Sequence, residues 1–332
     1  MNEIIYIFTF LTSLLITIYG TPIIRRVAIK YNILDYPDGN LKKHREPIPY
    51  MGGIIVYFAS ISPISLIFNF NKEILGIMFA GSILLIVGLF DDLKALNPQT
   101  KFFFQIIATY ILLKSGIYIN LSFLPYWLNA FLSFFWILTL INAFNIIDIL
   151  DGFSSSIALI NLITIFIISL YNNNFVISIL SLSFAASLMG FLFFNWEPAK
   201  IYLGDSGSML IGMIVGSLTI MGSYTVFNDY AFISGFLIPS IAVFDLIYVF
   251  IIRLIKGKSP FFGSPDHFAL RLKKKFNLNA SKTVSLILFL QLFLSSVVIL
   301  NFYTTPQVTI ITSIIIFLSY FAIGLWLYKV KM

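Results

Sequence analysis

Two adjacent aspartates stand at the end of a long apolar run, in the segment GLFDDLKAL. Asp91 and Asp92 repel each other when both are ionised, so both keep their charge only where a cation or a basic side chain compensates them. Lys101, at the start of the next apolar run, is a candidate for that compensation. A solvated acid pair at the end of a helix would also explain this segment, so it does not by itself identify a site.

A second polar group recurs at intervals of three residues in NAFNIIDILDGF, at Asn142, Asn145, Asp148 and Asp151. On a helix this spacing drifts only slowly around one face, so the four side chains can converge on one small volume. Aligned oxygen donors suit a hard cation or a phosphate. A polar transition from helix to loop explains one or two of these residues, whereas the shared register favours a functional surface.

The third group is GDSGS, in which Asp205 lies in a glycine-flanked turn that leads into an apolar run. Gly204 and Gly207 permit close backbone approach, and the free N–H groups around Ser206 can take up phosphate oxygens at a helix start. A carboxylate there can hold the metal that neutralises the same oxygens. The tetrapeptide GDSG also surrounds serine-protease nucleophiles, but the chain has only two histidines and no catalytic triad follows from their positions.

The fourth group, KGKSPFFGSPDHFALRLKKKF, contains His267 and Arg271 followed by a run of lysines. Basic residues beside apolar runs often only set topology or contact anionic lipid, which explains the lysines better than the His-x-x-x-Arg pattern. Asp245 lies within an apolar run, where an acid is a functional candidate.

The composition places these groups in a membrane protein. Hydrophobic residues make up 59% of the chain and charged residues 11%, against about 25% charged residues in soluble domains. Apolar runs of about 17 to 25 residues, the length that crosses roughly 30 Å of hydrocarbon, predict one all-α, polytopic membrane domain over residues 1–332. We expect eleven transmembrane helices, near residues 4–24, 50–69, 74–90, 102–118, 123–143, 155–171, 175–194, 208–226, 231–252, 283–301 and 307–328.

The charge distribution predicts the orientation. With the N-terminus outside, all 21 Lys and Arg residues except Lys72 and Lys114 fall on the inner side, as the positive-inside rule requires. The C-terminus is then cytoplasmic, and the first apolar run, which lacks a cleavage site, is a retained span. The basic residues lie between spans rather than on one soluble face, so the net charge of +7 does not indicate a nucleic-acid partner. Cysteine is absent, which excludes disulfides and thiolate metal sites.

In this order, the four groups resemble the polyprenyl-phosphate N-acetylhexosamine-1-phosphate transferases, which start the lipid-linked synthesis of cell-envelope polysaccharides and N-glycans. The first inner loop, DYPDGNLKKHREPIPYMGG, is similar to the family pattern at Asp35, Pro37, His44, Pro47, Pro49, Gly52 and Gly53. The resemblance covers nearly the whole chain, and it also implies eleven spans with the N-terminus outside.

The resemblance implies a role for each group. The expected catalytic residues are Asp91, Asp92, Lys101, Asp148 and Asp151: Asp92 lies nearest the attacking prenyl phosphate as base or electrostatic guide, and Lys101 faces the diphosphate. Asp205 and Asn145 match the positions associated with Mg²⁺, with Mn²⁺ as an alternative ion. The expected substrate-binding residues are Asn142, Asn145, Gly204, Ser206, Asp245, His267 and Arg271.

The last loop departs from the family pattern. Relatives that act on N-acetylglucosamine usually carry His-x-His-His-Arg-Leu, whereas this chain reads His267, Phe268, Ala269, Leu270, Arg271, Leu272. The missing histidines leave the amino sugar open and argue against the muramoyl-pentapeptide branch.

The expected reaction is attack of a prenyl phosphate oxygen on the β-phosphorus of a UDP-sugar, which releases UMP and leaves a prenyl-diphospho-sugar. The partners are a UDP-sugar, a polyprenyl (undecaprenyl) phosphate and membrane lipid, with the site at the cytoplasmic face of the cell membrane. No ATP or organic cofactor is implied, and a homodimer stays open.

Two other classes remain. A UbiA-like aromatic prenyltransferase also combines many spans with aspartate-rich Mg²⁺ sites, but its two aspartate motifs fit GDSGS and FDDLKAL poorly. A lipid-linked-sugar transporter predicts charges near the bilayer midplane or broken helices in related halves, whereas the acids here gather at one face.

Overall fold

The computed structural model describes residues 2–36, 46–222, 230–259, 264–330 and 332. Pro37 and His44 of the first inner loop lie outside this range. The described residues form thirteen α-helices and one short hairpin. The helices are α1 Asn2–Lys30, α2 Gly52–Ile67, α3 Lys72–Leu93, α4 Pro98–Lys114, α5 Tyr126–Ile146, α6 Phe153–Tyr171, α7 Phe175–Asn195, α8 Gly204–Met221, α9 Phe232–Leu237, α10 Ser240–Ile255, α11 Phe268–Lys275, α12 Ala280–Tyr303 and α13 Pro306–Tyr328. Strands β1 Leu34–Asp35 and β2 Ile48–Pro49 pair antiparallel.

The expectation of an almost entirely helical membrane protein is confirmed. Eight helices are long and apolar enough to cross a membrane, namely α1, α3, α5, α6, α7, α8, α12 and α13. A bundle of this kind satisfies its backbone hydrogen bonds within each helix, as hydrocarbon requires. The protein is therefore a multi-pass membrane protein.

The other three expected spans coincide with shorter helices, so the count of eleven stays a prediction. Helices α2, α4 and α10 have 16, 17 and 16 residues. The ninth expected span, residues 231–252, is not one continuous helix: it is divided into α9 and α10 at Ile238 and Pro239. Proline has no N–H to donate to the preceding turn, which explains the break.

Helix α8 lies at the centre of the bundle. It packs against α2, α3, α5 and α6, and nearly all of its residues are buried. By contrast, only Thr309, Ile316 and Leu327 are buried on α13. The turn at the start of α8 therefore belongs to the most enclosed of the eight described candidate spans, whereas α13 is the least enclosed of them.

Hydroxyl groups join α1 to α7 inside the bundle. The Oγ atoms of Ser13 and Ser183 are 2.9 Å apart, and Thr17 Oγ1 lies 2.9 Å from Ser187 Oγ. Ser183 also donates to the backbone oxygen of Ser60 on α2. These residues are completely buried, so their hydroxyls find partners only within the protein, in part in neighbouring helices.

Ser183→Val should destabilise this contact. It removes the Ser183 hydroxyl from two buried hydrogen bonds and leaves the Ser60 oxygen and the Ser13 hydroxyl short of a partner, at a cost of about 1 to 3 kcal/mol. Thermal unfolding of the detergent-purified protein measures the effect, with exposed Ser296→Val on α12 as the matched control. Equal melting temperatures for the two variants would contradict the role assigned to Ser183.

Candidate active site

One end of each of four helices, α3, α4, α5 and α8, lies at one lysine. From the first turn of α4, Lys101 Nζ donates to Asp91 Oδ2 of α3 at 2.9 Å, to Asn145 Oδ1 of α5 at 3.1 Å and to Asp205 Oδ2 of α8 at 2.7 Å. An ammonium group has three protons, and all three have acceptors here. We call Lys101, Asp91, Asn145 and Asp205 the lysine cluster. The structure thus joins residues from three of the sequence groups.

The two adjacent aspartates point to different partners. Asp91 accepts from Lys101 and from the backbone N of Leu96 at 2.6 Å. Asp92 instead accepts from the backbone N of Asp205 at 2.8 Å and from Ser206 Oγ at 3.1 Å. A carboxylate at the N-terminus of a helix satisfies free N–H groups and interacts favourably with the helix dipole. Asp92 therefore holds the turn that presents Asp205.

The polar residues of α5 separate into two levels. Asn145 donates through Nδ2 to Asp205 Oδ1 at 2.6 Å and to Ser208 Oγ at 2.9 Å, so it belongs to the lysine cluster. Asn142, one turn earlier, donates to Gln105 Oε1 of α4 at 2.8 Å and has no hydrogen bond to the cluster. Sequence reasoning missed Ser208 and Gln105, although both are polar residues one turn beyond a predicted site residue.

Asp148 follows the end of α5 and makes no hydrogen bond to any residue that the structure describes. Burial, with the charges of Asp205, Asp92 and Asp151, raises the pKa of this carboxyl well above its usual value. An unpaired carboxyl among three others marks a volume that is short of positive charge. A cation placed there would lower the repulsion among these carboxylates.

Asp151 anchors the loop between α7 and α8. Its Oδ2 accepts from the backbone N of Ala199 at 2.8 Å. Burial and the charges of Asp151, Asp35 and Asp148 raise the pKa of the Tyr202 phenol in this loop. Tyr202 thus lies near the carboxylates of Asp151, Asp35 and Asp148.

The first inner loop lies against the same α7–α8 loop. Tyr202 N donates to the oxygen of Pro49 at 2.8 Å, and the N–H groups of Gly52 and Gly53 donate to the oxygens of Tyr202 and Leu203 at 3.0 and 2.9 Å. Asp35 is 6% exposed and hydrogen-bonds Tyr50. The described part of the loop therefore supports the turn that carries Asp205.

Glycines allow helices α2 and α3 to approach this turn closely. A Cβ at Gly53 of α2 would lie 2.3 Å from the backbone N of Gly207, and one at Gly88 of α3 would lie 2.3 Å from Ser206 Cα. Gly204 has φ +75°, and a Cβ there would lie 2.5 Å from Asp92 Oδ2. Only glycine fits such positions without displacing backbone.

Gly88→Ala should therefore displace the turn and lower stability by about 1 to 3 kcal/mol, the usual cost of overpacking. Turnover should fall as well, because Asp92 and Asp205 lie on the two elements forced apart. Gly324→Ala on α13, where the nearest atom would be 3.6 Å away, is the matched control. Melting temperature and activity are compared for both, and a Gly88→Ala variant as stable and active as the control would refute the close packing.

The oxygen donors of the site are of the type that fits a magnesium ion. The described residues contain no group of three or more His, Cys, Asp or Glu side chains that is already arranged to hold a metal. The Lys101 ammonium lies between Asp91 and Asp205 and supplies positive charge there. The oxygens of Asp205 and Asn145, which also accept hydrogen bonds within the lysine cluster, and those of Asp148 are hard donors, the type that Mg²⁺ binds.

The predicted residues of the last loop have protein partners. Asp245, completely buried on α10, accepts from His267 Nδ1 at 2.6 Å and from Phe268 N at 2.8 Å. Arg271 is bound to Asp266 and to backbone oxygens at the end of α13. No hydrogen bond or ion pair between described residues connects these side chains to the lysine cluster. The Phe268 ring lies 6.3 Å from that of Phe153, which places the loop beside the start of α6.

Comparison with known proteins gives relatives over most of the chain. The family model for glycosyl transferase family 4 matches residues 74–223. A probable undecaprenyl-phosphate N-acetylglucosaminyl 1-phosphate transferase of Bacillus subtilis (strain 168) is 30% identical, over 77% of this chain and 74% of the relative. A decaprenyl-phosphate N-acetylglucosaminephosphotransferase of Mycolicibacterium smegmatis is 26% identical, over 78% and 73%. A phospho-N-acetylmuramoyl-pentapeptide-transferase of Dictyoglomus thermophilum is 32% identical, over 80% and 87%.

Proposed function

Because this chain belongs to glycosyl transferase family 4, we propose that it transfers a sugar 1-phosphate from a UDP-sugar to a polyprenyl phosphate and releases UMP. The membership agrees with the resemblance carried by the sequence groups, and it favours neither the prenyltransferase nor the transporter. The observation that carries the proposal is the lysine cluster, in which Lys101 contacts Asp91, Asn145 and Asp205 where apolar helices end.

The reaction brings two anionic phosphates together, so catalysis depends mainly on positioning and on charge. Lys101 supplies a cation at the cluster, and its three contacts fix the ammonium before substrate arrives. The start of α8 adds the positive end of a helix dipole. Asp92 keeps that helix start in place through Asp205 N and Ser206 Oγ.

We assign Asp205 and Asn145 as the residues that hold Mg²⁺, with Mn²⁺ as the alternative. When bound, the ion neutralises diphosphate oxygens and thereby lowers the repulsion between the reactants. The raised pKa of Asp148 supports this assignment, since the buried carboxyls exceed the positive charge available from Lys101. Asp148 and Asp151 border the same volume and are assigned to the nucleotide-sugar pocket.

The site is assigned to the cytoplasmic face of the cell membrane, in a chain of eleven spans with the N-terminus outside. The distribution of Lys and Arg supports this orientation. A site at that face reaches both a soluble sugar nucleotide and a prenyl chain in the bilayer. It also places the lysine cluster at the level of the lipid phosphates.

An N-acetylhexosamine 1-phosphate is the proposed group to be transferred. The relatives include proteins named for N-acetylglucosamine and for N-acetylmuramoyl-pentapeptide, at similar identities. The last loop carries one histidine where the muramoyl-pentapeptide branch carries a run of them, which supports the smaller sugar.

UMP release by the purified protein in detergent tests the function, with Mg²⁺, undecaprenyl phosphate and a panel of UDP-N-acetylhexosamines. We expect release that requires both the lipid and one particular sugar. UDP-N-acetylmuramoyl-pentapeptide is included as the competing donor. Absence of release with every donor, from protein with an intact thermal transition, would refute the proposal.

A further inference from the structure

Helix α11 is a short amphipathic helix that carries His267 at its amino end. Its buried face consists of Phe268, Ala269 and Arg271, and its last turn carries three lysines. At the amino end, the two carboxylate oxygens of Asp245 accept from His267 Nδ1 and from the backbone N of Phe268. The imidazole is therefore held through Nδ1, and Nε2 is the ring nitrogen left for a ligand.

Arg271, one turn later, has no donor group directed to the proposed substrate site. Its side chain is 2% exposed, and all three guanidinium nitrogens donate to protein oxygens. Nε and Nη2 donate to the backbone oxygen and to Oδ1 of Asp266, at 3.3 and 2.6 Å. Nη1 donates to the backbone oxygens of Leu327, Tyr328 and Val330, at 3.1, 3.2 and 2.6 Å.

The contacts of Arg271 Nη1 lie at the C-terminal end of α13. The final carbonyls of an α-helix lack partners within the helix, and they form the negative end of its dipole. A buried guanidinium with a fixed fork of donors satisfies several of them at once, which a lysine cannot do with the same geometry. Arg271 therefore ties α11 to the C-terminal turn of α13.

Asp266 and an aromatic contact complete this junction. Asp266 is buried and accepts from Lys256 Nζ as well as from Arg271. Burial raises the pKa of Asp266, but its hydrogen bonds from Lys256, Arg271 and Ser264 outweigh that effect and lower it. Lys275 Nζ, at the other end of α11, lies 3.9 Å from the centre of the Trp326 ring.

We infer that Arg271 is a positioning residue that seats α11 on the C-terminal turn of α13 and thereby fixes His267, without touching substrate itself. The sequence had suggested that Arg271 binds substrate; its partners in the structure explain the residue differently. Only the assignment of His267 to the sugar-nucleotide site rests on the proposed function.

A labelling experiment tests the seating of α11 independently of activity. The chain has no cysteine, so Ala269→Cys, at a completely buried position of α11, introduces the single thiol that maleimide can label. Adding Arg271→Gln should raise the labelling rate at least about tenfold, the effect of weakening local closure by about 1.4 kcal/mol. Adding Trp326→Leu should raise it too, whereas Phe317→Leu, at a 71% exposed aromatic of α13, should not.

Kinetics of the cysteine-free variants supply the second measurement. Arg271→Gln and Trp326→Leu should both raise the KM for the UDP-sugar and leave the KM for undecaprenyl phosphate unchanged. An unchanged labelling rate in both variants would overturn the inference. A rise in the KM for the UDP-sugar in Arg271→Gln alone would also overturn it, because Arg271 would then be a direct ligand of the substrate. If Arg271→Gln does not fold, Trp326→Leu decides both measurements. If the wild-type protein is inactive but labelling is faster in the variants, the proposed function is refuted and the positioning role of Arg271 remains supported.

Discussion

Asp205→Asn is expected to lower the kcat of lipid-dependent UMP release by about a hundredfold to a thousandfold. This is the usual loss when one preorganised electrostatic contact is removed. Asp205 accepts from Lys101 at 2.7 Å and from Asn145 at 2.6 Å, so its charge lies at the centre of the lysine cluster. Asparagine keeps the shape of the side chain and removes that charge. The backbone N–H at position 205 still donates to Asp92, so the turn at the start of α8 should remain folded.

Steady-state kinetics over a range of Mg²⁺ concentrations measure this effect. We also expect the concentration of Mg²⁺ needed for half-maximal activity to rise, because the proposed ion loses an anionic ligand. Glu73→Gln is the matched control, since Glu73 lies in the first turn of α3, at the end opposite to Asp91 and Asp92. Near-normal turnover in Asp205→Asn would remove Asp205 from both the metal site and the catalytic site.

Lys101→Met should abolish most activity and also destabilise the fold. Methionine fills a similar volume but leaves Asp91 and Asp205 without their shared cation. Removing one partner of a buried ion pair costs about 3 to 5 kcal/mol. The Lys101 side chain is 16% exposed, so the lower end of that range is expected. Activity should fall at least about a hundredfold, because the charge that offsets the phosphates is lost.

The control is on the same helix. Lys114→Met removes an exposed lysine from the other end of α4, where it has no acidic partner among the described salt bridges. Melting temperature and UMP release are measured for both variants. An active Lys101→Met protein would mean that the cluster is structural only. Lys101→Arg separates charge from geometry, since the planar guanidinium cannot reproduce three contacts from one nitrogen.

Local features of the sequence were enough to predict the architecture and the neighbourhood of the site. The positions of the apolar runs are set by the length needed to cross hydrocarbon, so each expected span coincides with a helix or, at residues 231–252, with two. Acids are tolerated in such a chain mainly near helix ends or in protected interiors, which is why the groups around Asp92, Asn145 and Asp205 could be assigned to one region.

The tertiary structure alone decided what each side chain in that region contacts. Asp91 and Asp92 are neighbours in sequence, but successive residues differ by about 100° around a helix axis. One therefore faces Lys101 and the other faces the start of α8. In the same way, Asn142 hydrogen-bonds only Gln105 of α4 among the described residues of the neighbouring helices, while Asn145 contacts Lys101 of α4 and also Asp205 and Ser208 at the start of α8.

The last loop shows the same division. The sequence by itself determined that His267 and Arg271 stand four residues apart in a basic segment between apolar runs. Their partners in the structure are different. The His267 imidazole contacts Asp245 of α10, which is 22 positions away in the chain. The Arg271 guanidinium contacts the end of α13, which is 56 to 59 positions away. Contacts over such separations depend on how the helices pack, and helix packing follows from the shapes of all the side chains together rather than from any local pattern.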